Sequence, residues 1–277
     1  MAVANAAAQR SSAKQLECRR HGFYAGAACR TAALGSAGGN DEVFADRFIL
    51  PADADRVPLC TETSGQGRNA RRDQGMIIIA YLLGSIPTGL WIGKYIYHKD
   101  IRKLGSGNIG TTNTFRTLGF KAGVVVLVID ILKGTLAASQ PYFLGISGTV
   151  NPLLIGLFAS LGHTVSIFDN FHGGKAVATS AGILLAYNPL LFVVACLIFI
   201  FVLCLTSMVS TASMVGISAI FIIALFIHAW ILAIVAGILT GVVFYRHRSN
   251  IHRILSGKES MVSFGLGYYL REKKLNK

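Results

Sequence analysis

Carboxylates are nearly missing from the most apolar part of this chain. Residues 76–277 hold only five, Asp100, Asp130, Asp169, Glu259 and Glu272, which speaks against a mechanism built on paired acids. Cysteine is scarce too. Cys18, Cys29 and Cys60 lie in the first 75 residues and Cys196 and Cys204 in one apolar segment, without metal-ligand or disulfide-framework spacing. No His/Cys/carboxylate cluster has zinc spacing, so neither metal nor cofactor is expected. No Ser-His-Asp or Cys-His arrangement stands in a recognisable context. The chain also lacks a basic helix and an aromatic RNA-binding signature, which argues against a nucleic-acid partner. "HGGKA" is no Walker A loop, because Asp169 stands where a glycine is needed and Ala176 where Ser/Thr should follow the lysine. His163 and Asp169 miss a His-x4-Asp spacing by one residue and would lie roughly 240° apart on a helix.

What is present is hydrocarbon. The chain is 53% hydrophobic and 14% charged, with mean hydropathy +0.55. "LLFVVACLIFIFVLCL" (190–205) and residues 215–245 approach or exceed the ~18 apolar residues that argue for a membrane crossing. The pattern predicts an all-α polytopic membrane protein of about seven transmembrane helices. They fall near 76–97, 120–139, 150–168, 176–187, 189–206, 209–227 and 229–246. The fourth is too short to cross ~30 Å of hydrocarbon alone, so five or six full crossings are an open alternative.

The first 75 residues read differently. They carry ten Lys/Arg against eight Asp/Glu, while residues 76–277 carry sixteen against five, so most of the +13 net charge sits in the apolar part. Residues 1–75 show no sustained apolar period and are expected to be a disordered or non-native extension, with Met76 a natural initiator. Residues 76–260 form the expected membrane domain and 261–277 a basic tail. Lys/Arg mark alternate short loops: Lys99, Arg102, Lys103, Arg116 and Lys121 in one, Lys175 in another, and Arg246, Arg248 and Arg253 at the end. By the positive-inside rule these loops and the C-terminus are cytoplasmic. Arg68, Arg71 and Arg72 fit that orientation only if the first span opens the protein.

Three polar segments, 98–121, 169–175 and 246–259, therefore share one side. Each mixes glycine with cations and hydrogen-bonding side chains. Irregular backbone at a membrane border needs partners that lipid cannot offer, and glycine lets backbone N–H groups approach a ligand. The stretch "DIRKLGSGNIGTTNTFR" (100–116) reads as a phosphate cradle at the membrane surface.

"GSGNIGTTNTFR" with "DILKG", then "GHTVSIFDNFHGGKAVAT" and "YRHRSNIHRILSGKE", resemble the PlsY family of bacterial acyl-phosphate:glycerol-3-phosphate acyltransferases, over nearly all of 76–260 and none of 1–75. The resemblance implies a seven-helix enzyme of the bacterial inner membrane. It would move a fatty acyl group from acyl phosphate to the 1-hydroxyl of glycerol 3-phosphate, giving lysophosphatidic acid and phosphate for phospholipid synthesis. It also implies action without a protein partner. By motif position, Ser106, Arg116, Lys175, His247 and Asn250 would be catalytic. Gly105, Gly107, Asn108, Asn113, Gly173, Gly174 and Ser210, or Ser213 in its place, would line the substrate site. Two positions depart from the family, which usually has "GGKG" at Ala176 and proline at Ser166.

Other polar residues have plainer readings. Lys99, Lys103 and Lys121 serve as topology determinants or lipid-head anchors. His98, His163, His172 and His228 are interfacial, Asp130 and Lys133 form an intrahelical i,i+3 pair, and Ser85 and Pro87 pack or kink the first span. An acyl phosphate is a mixed anhydride that needs no enzyme nucleophile, so the donor's own phosphate is expected to take the proton, with His247 the alternative base. A transporter or flippase for a phosphorylated solute is the competing reading, and it expects inverted repeats. A lipid-binding scaffold would have no need of three glycine-rich segments.

Overall fold

A computed structural model describes residues 60–275, and side chains over 68–273; the expectations for residues 1–59 lie outside this range. The described residues are all-helical. Helix α1 (Cys60–Ser85) starts upstream of the first apolar residue of the expected span, Met76, which is itself buried. Pro87 then breaks the span, because it has no N–H to donate and its ring obstructs the preceding turn. The chain resumes as α2 (Thr88–Trp91) and a π-turn (Ile92–Ile96), bent 41° from α1. The Ile86 carbonyl exposed by the break accepts a hydrogen bond from Lys133 Nζ at 2.9 Å.

A short 3-10 turn (Ile101–Lys103) leads to α3 (Thr111–Leu118), and Gly119, at φ +91°, turns the chain into α4 (Phe120–Phe143). Helices α5 (Pro152–Thr164) and α7 (Pro189–Thr206) start alike. Each has Pro at its start and an Asn cap, Asn151 or Asn188, that accepts from the backbone N–H of Leu153 or Leu191. These caps satisfy donors the first turn cannot. Between them lies α6 (Val177–Tyr187), eleven residues long and so only about 16 Å. Helices α8 (Val209–Phe226), α9 (Trp230–Arg246) and α10 (Arg248–Leu255) follow, the last two meeting at a 61° bend.

Among the described residues four helices are long and apolar enough to cross a membrane, or up to six if each bent pair is one span, and α6 is a further, shorter apolar helix. The protein is an integral membrane protein with the seven apolar segments the sequence predicts, the fourth of them short. Its helices touch at small residues, as they must where no water drives them together. Gly84 and Gly162 let α1 and α5 meet, Gly134 and Gly182 do the same for α4 and α6, and a Cβ at any of the four would fall within 2.2 Å of a facing carbonyl oxygen. A larger apolar core joins α5, α6, α8 and α9 through Leu153, Ile183, Ile220, Leu232, Val235 and Leu239.

The basic tail, over its described residues, carries a helix. Val262 N–H donates to the Ser207 carbonyl, Tyr268 N–H to Ser207 Oγ, and α11 (Leu266–Leu275) rests on the end of α7.

Candidate active site

The three polar segments meet at one end of the helices. Lys175, in the loop between α5 and α6, donates through Nζ to Asn250 Oδ1 on α10. Asn250 Nδ2 in turn donates to Glu259 Oε1 at 2.6 Å, as does Ser210 Oγ of α8 at 2.8 Å. Arg253 Nε reaches the other carboxylate oxygen, Oε2, at 2.8 Å. A buried glutamate therefore gathers residues from α8, α10 and, through Asn250, the lysine loop. Burial alone would raise its pKa, but the hydrogen bonds from Asn250, Ser210 and Arg253 outweigh it and hold the carboxyl below its usual value.

Lys175 sits in a cationic setting. Burial pushes its ammonium down to about 8; Glu259 opposes that shift, while Arg253, Arg246 and Arg116 add repulsion. Arg116 is exposed on the last turn of α3 and, among the described residues, donates no hydrogen bond to the protein. Its fork of donors stands available to an anion. His247 is 2% exposed at the α9–α10 bend, and its Nδ1 faces the Val243 carbonyl at 2.8 Å. A carbonyl can only accept, so Nδ1 carries the proton and Nε2 keeps a lone pair.

The glycine-rich loop before α3 is held from beneath. Asn113 is buried; its Oδ1 accepts from Ser106 N–H and its Nδ2 donates to the carbonyls of Ile101 and Leu104. Its amide thus shapes the loop. Asn108 closes a local turn by accepting from Gly110 N–H at 2.9 Å. Gly105 and Gly107 take φ +58° and +71°, conformations costly for other residues, and they stand exposed with Ser106 at the loop tip. Among the described residues no hydrogen bond joins Ser106 or Asn108 to Lys175. The link runs through Arg102, which pairs with Asp100 in its own loop at 2.8 Å and with buried Asp169 of the lysine loop at 2.7 Å. The Arg102 guanidinium holds the Asp100 carboxyl at about 2.

Gly173 and Gly174 are buried. Arg246 donates to both their carbonyls, and Gly174 N–H donates to the His163 carbonyl at 2.9 Å. Ala176, directly after Lys175, adopts φ +57°, a left-handed conformation that glycine would hold at less cost.

Sequence reasoning passed over Glu259, Arg102, Arg246 and Arg253 as site builders. Glu259 carried a readable signal, since it is the one acid in the cation-rich segment 246–259. Among the described residues, no group of three or more His, Cys, Asp or Glu is placed to hold a metal ion.

Known proteins share this arrangement of sequence and fold. The glycerol-3-phosphate acyltransferase family profile matches residues 75–257. The chain is 98% identical over 203 residues to a glycerol-3-phosphate acyltransferase of Limosilactobacillus reuteri strain DSM 20016, spanning 97% of that protein and 73% of this one. It is 56% identical over 203 residues to one from Levilactobacillus brevis, with 98% and 72% covered. The fold resembles the crystal structure of PlsY, an integral membrane glycerol 3-phosphate acyltransferase, in its glycerol 3-phosphate form. The TM-score is 0.64 and the identity 34%, over 68% of this chain and 94% of that one. The lysophosphatidic acid form of PlsY gives 0.62 and 33%, with the same coverage. With two-thirds of its residues inside the family profile and near-identity to one of its members, the chain belongs to the glycerol-3-phosphate acyltransferase family.

Proposed function

We propose that this protein transfers a fatty acyl group from acyl phosphate to the 1-hydroxyl of glycerol 3-phosphate, releasing lysophosphatidic acid and phosphate for phospholipid synthesis. The observation that carries this reading is the cationic surplus around Lys175: Arg253, Arg246 and Arg116 all repel its ammonium, and Glu259, paired with Arg253 at 2.8 Å, is the carboxylate that opposes them. That surplus suits two phosphate-bearing substrates, which would otherwise repel each other. The glycerol 3-phosphate and lysophosphatidic acid forms of the PlsY neighbour support the choice of acceptor and product.

Lys175 and Arg116 hold the phosphates, with Arg116 able to bind two oxygens at once. The acceptor's 1-hydroxyl oxygen bonds to the acyl carbon while the bond from that carbon to the phosphate oxygen breaks. The hydroxyl proton passes to the departing phosphate, so no enzyme nucleophile is needed. His247, whose Nδ1 is taken up by the Val243 carbonyl, leaves Nε2 as the alternative proton acceptor. Normal transfer by His247→Ala would remove the histidine from the mechanism.

The enzyme lies in the cell membrane with this site and the C-terminus facing the cytoplasm. Lys99, Lys103, Lys175, Arg248 and Arg253 all fall in the basic loops on that side. Residues 1–75 are an appendage to the catalytic domain, and a chain starting at Met76 should keep full activity. Purified protein given palmitoyl phosphate and glycerol 3-phosphate should form lysophosphatidic acid and phosphate in equal amounts. A folded preparation that forms neither would return the site to a transporter of phosphorylated solutes.

A further inference from the structure

A charged pair inside a membrane-crossing helix is expensive and usually has a task. Asp130 and Lys133 of α4 are 2% and 4% exposed and pair at 2.8 Å. Both reach well beyond their own helix. The Asp130 carboxylate accepts from Thr88 Oγ1 of α2 at 3.1 Å and from Thr111 Oγ1, at the start of the helix bearing Arg116, at 3.3 Å. Lys133 holds the Ile86 carbonyl at the break in the first span. His163 Nδ1 lies 3.9 Å from Asp130 Oδ1. The far edge of the same ring meets the lysine loop: a Cβ added at Gly174 would stand 2.2 Å from His163 Nε2, with ring Cδ2 and Cε1 next at 3.0 and 3.1 Å. Gly174 has no left-handed φ, so the ring, and not backbone conformation, is what demands glycine there.

We propose that His163, whose ring lies beside the buried Asp130 carboxylate, is a positioning residue. Its ring is the floor on which Gly174 lies, and so it sets where the Lys175 ammonium stands. The inference rests on the reading of Lys175 as a phosphate clamp. Gly173 supplies the contrast, since a Cβ there would meet backbone, the His163 carbonyl oxygen at 2.2 Å and that of Thr164 at 2.4 Å.

The test is a pair of suppressor comparisons read as KM for glycerol 3-phosphate against kcat. Gly174→Ala should raise KM about tenfold or more by displacing the lysine loop, with kcat less affected, and His163→Ala should raise it less. The double variant should recover, with KM well below that of Gly174→Ala alone, because the new methyl fits where the ring was. His163→Ala should give Gly173→Ala no such relief. If His163→Ala fails to accumulate, His163→Ser serves in the same pairs. A double-variant KM equal to the product of the two single defects would overturn the proposal. So would a wild-type KM in every variant that folds, which is what a merely supporting histidine predicts. Wild-type turnover of palmitoyl phosphate in the same preparation separates the two readings. An inactive wild type removes the function and this inference together, whereas an active wild type without rescue removes only the inference.

Discussion

The two glycine-rich segments of this site look alike in sequence, yet Gly107 of one and Gly174 of the other need glycine for opposite reasons. In "GSGN" the glycines are exposed and both take left-handed φ; at Gly105 a Cβ would also collide with the Asn113 side chain, but at Gly107, φ +71°, it would meet only the Arg102 carbonyl oxygen, at 3.2 Å. There glycine supplies a backbone conformation. In "GGK" the glycines are buried, have no left-handed φ, and have no room for a Cβ. There glycine supplies space. One segment is an exposed rim held from beneath by Asn113; the other is a loop pressed against α5, from which Lys175 projects.

The largest expected effect tests that loop. Lys175→Ala removes an ammonium from a buried cationic site, and losing a charge-assisted hydrogen bond of ~1.5–3 kcal/mol should cost roughly one to two decades in kcat/KM, or more if both phosphates use it. Loss of activity in steady-state kinetics, with folding intact by thermal melt, is the expected pattern.

Asparagine substitutions sharpen the contrast. Asn tolerates the left-handed conformation better than Ala does, so Gly107→Asn should be milder than Gly107→Ala, whose strain is ~1–2 kcal/mol. At Gly174 the order should reverse, because only volume matters there. Melting temperatures of the four variants check both orders, and the same ranking at both positions would erase the distinction.

The depressed pKa of Lys175 adds a pH signature. Its ammonium titrates at about 8 in the folded protein against 10.5 unperturbed. Activity that depends on this charge should fall as pH rises through about 8. Between about 8 and 10.5 the unfolded chain still holds a proton that the folded chain has lost, so this group makes stability rise with pH over the same window. Falling kcat/KM alongside rising melting temperature is therefore the expected pair. Lys175→Arg, which stays charged, should move the activity decline to higher pH.

The smallest effect concerns Ala176. Glycine there relieves the strain of φ +57° but frees the unfolded chain, and the two changes, each about 0.5–2 kcal/mol, nearly offset. A melt of Ala176→Gly should shift by only a few degrees.

The comparison also shows what the sequence could reveal. The apolar segments were legible because periodicity and length are local, whereas at Pro87, where the sequence reading allowed packing or a kink within one span, the helix is broken outright. The three polar segments were legible as one face because charge alternates between loops. The purposes of the glycines were not. Whether Gly174 needs space depends on His163 in a neighbouring helix, and Glu259 gains its role only when Ser210, forty-nine positions away, is folded against it. Asp130 and Lys133, read as an intrahelical pair, do form that pair, yet their bonds to Thr88, Thr111 and Ile86 come from packing alone.

The central claim is that these segments form an anion site in which Arg116 grips a substrate phosphate. The direct measurement is kcat/KM for glycerol 3-phosphate in Arg116→Lys, with Lys103→Arg as the matched control at equal expression. Lysine keeps the charge but lacks the two-pronged geometry. The account predicts a loss of roughly ten- to a hundredfold in Arg116→Lys and near-wild-type kinetics in the control. Near-wild-type kinetics in Arg116→Lys would contradict it.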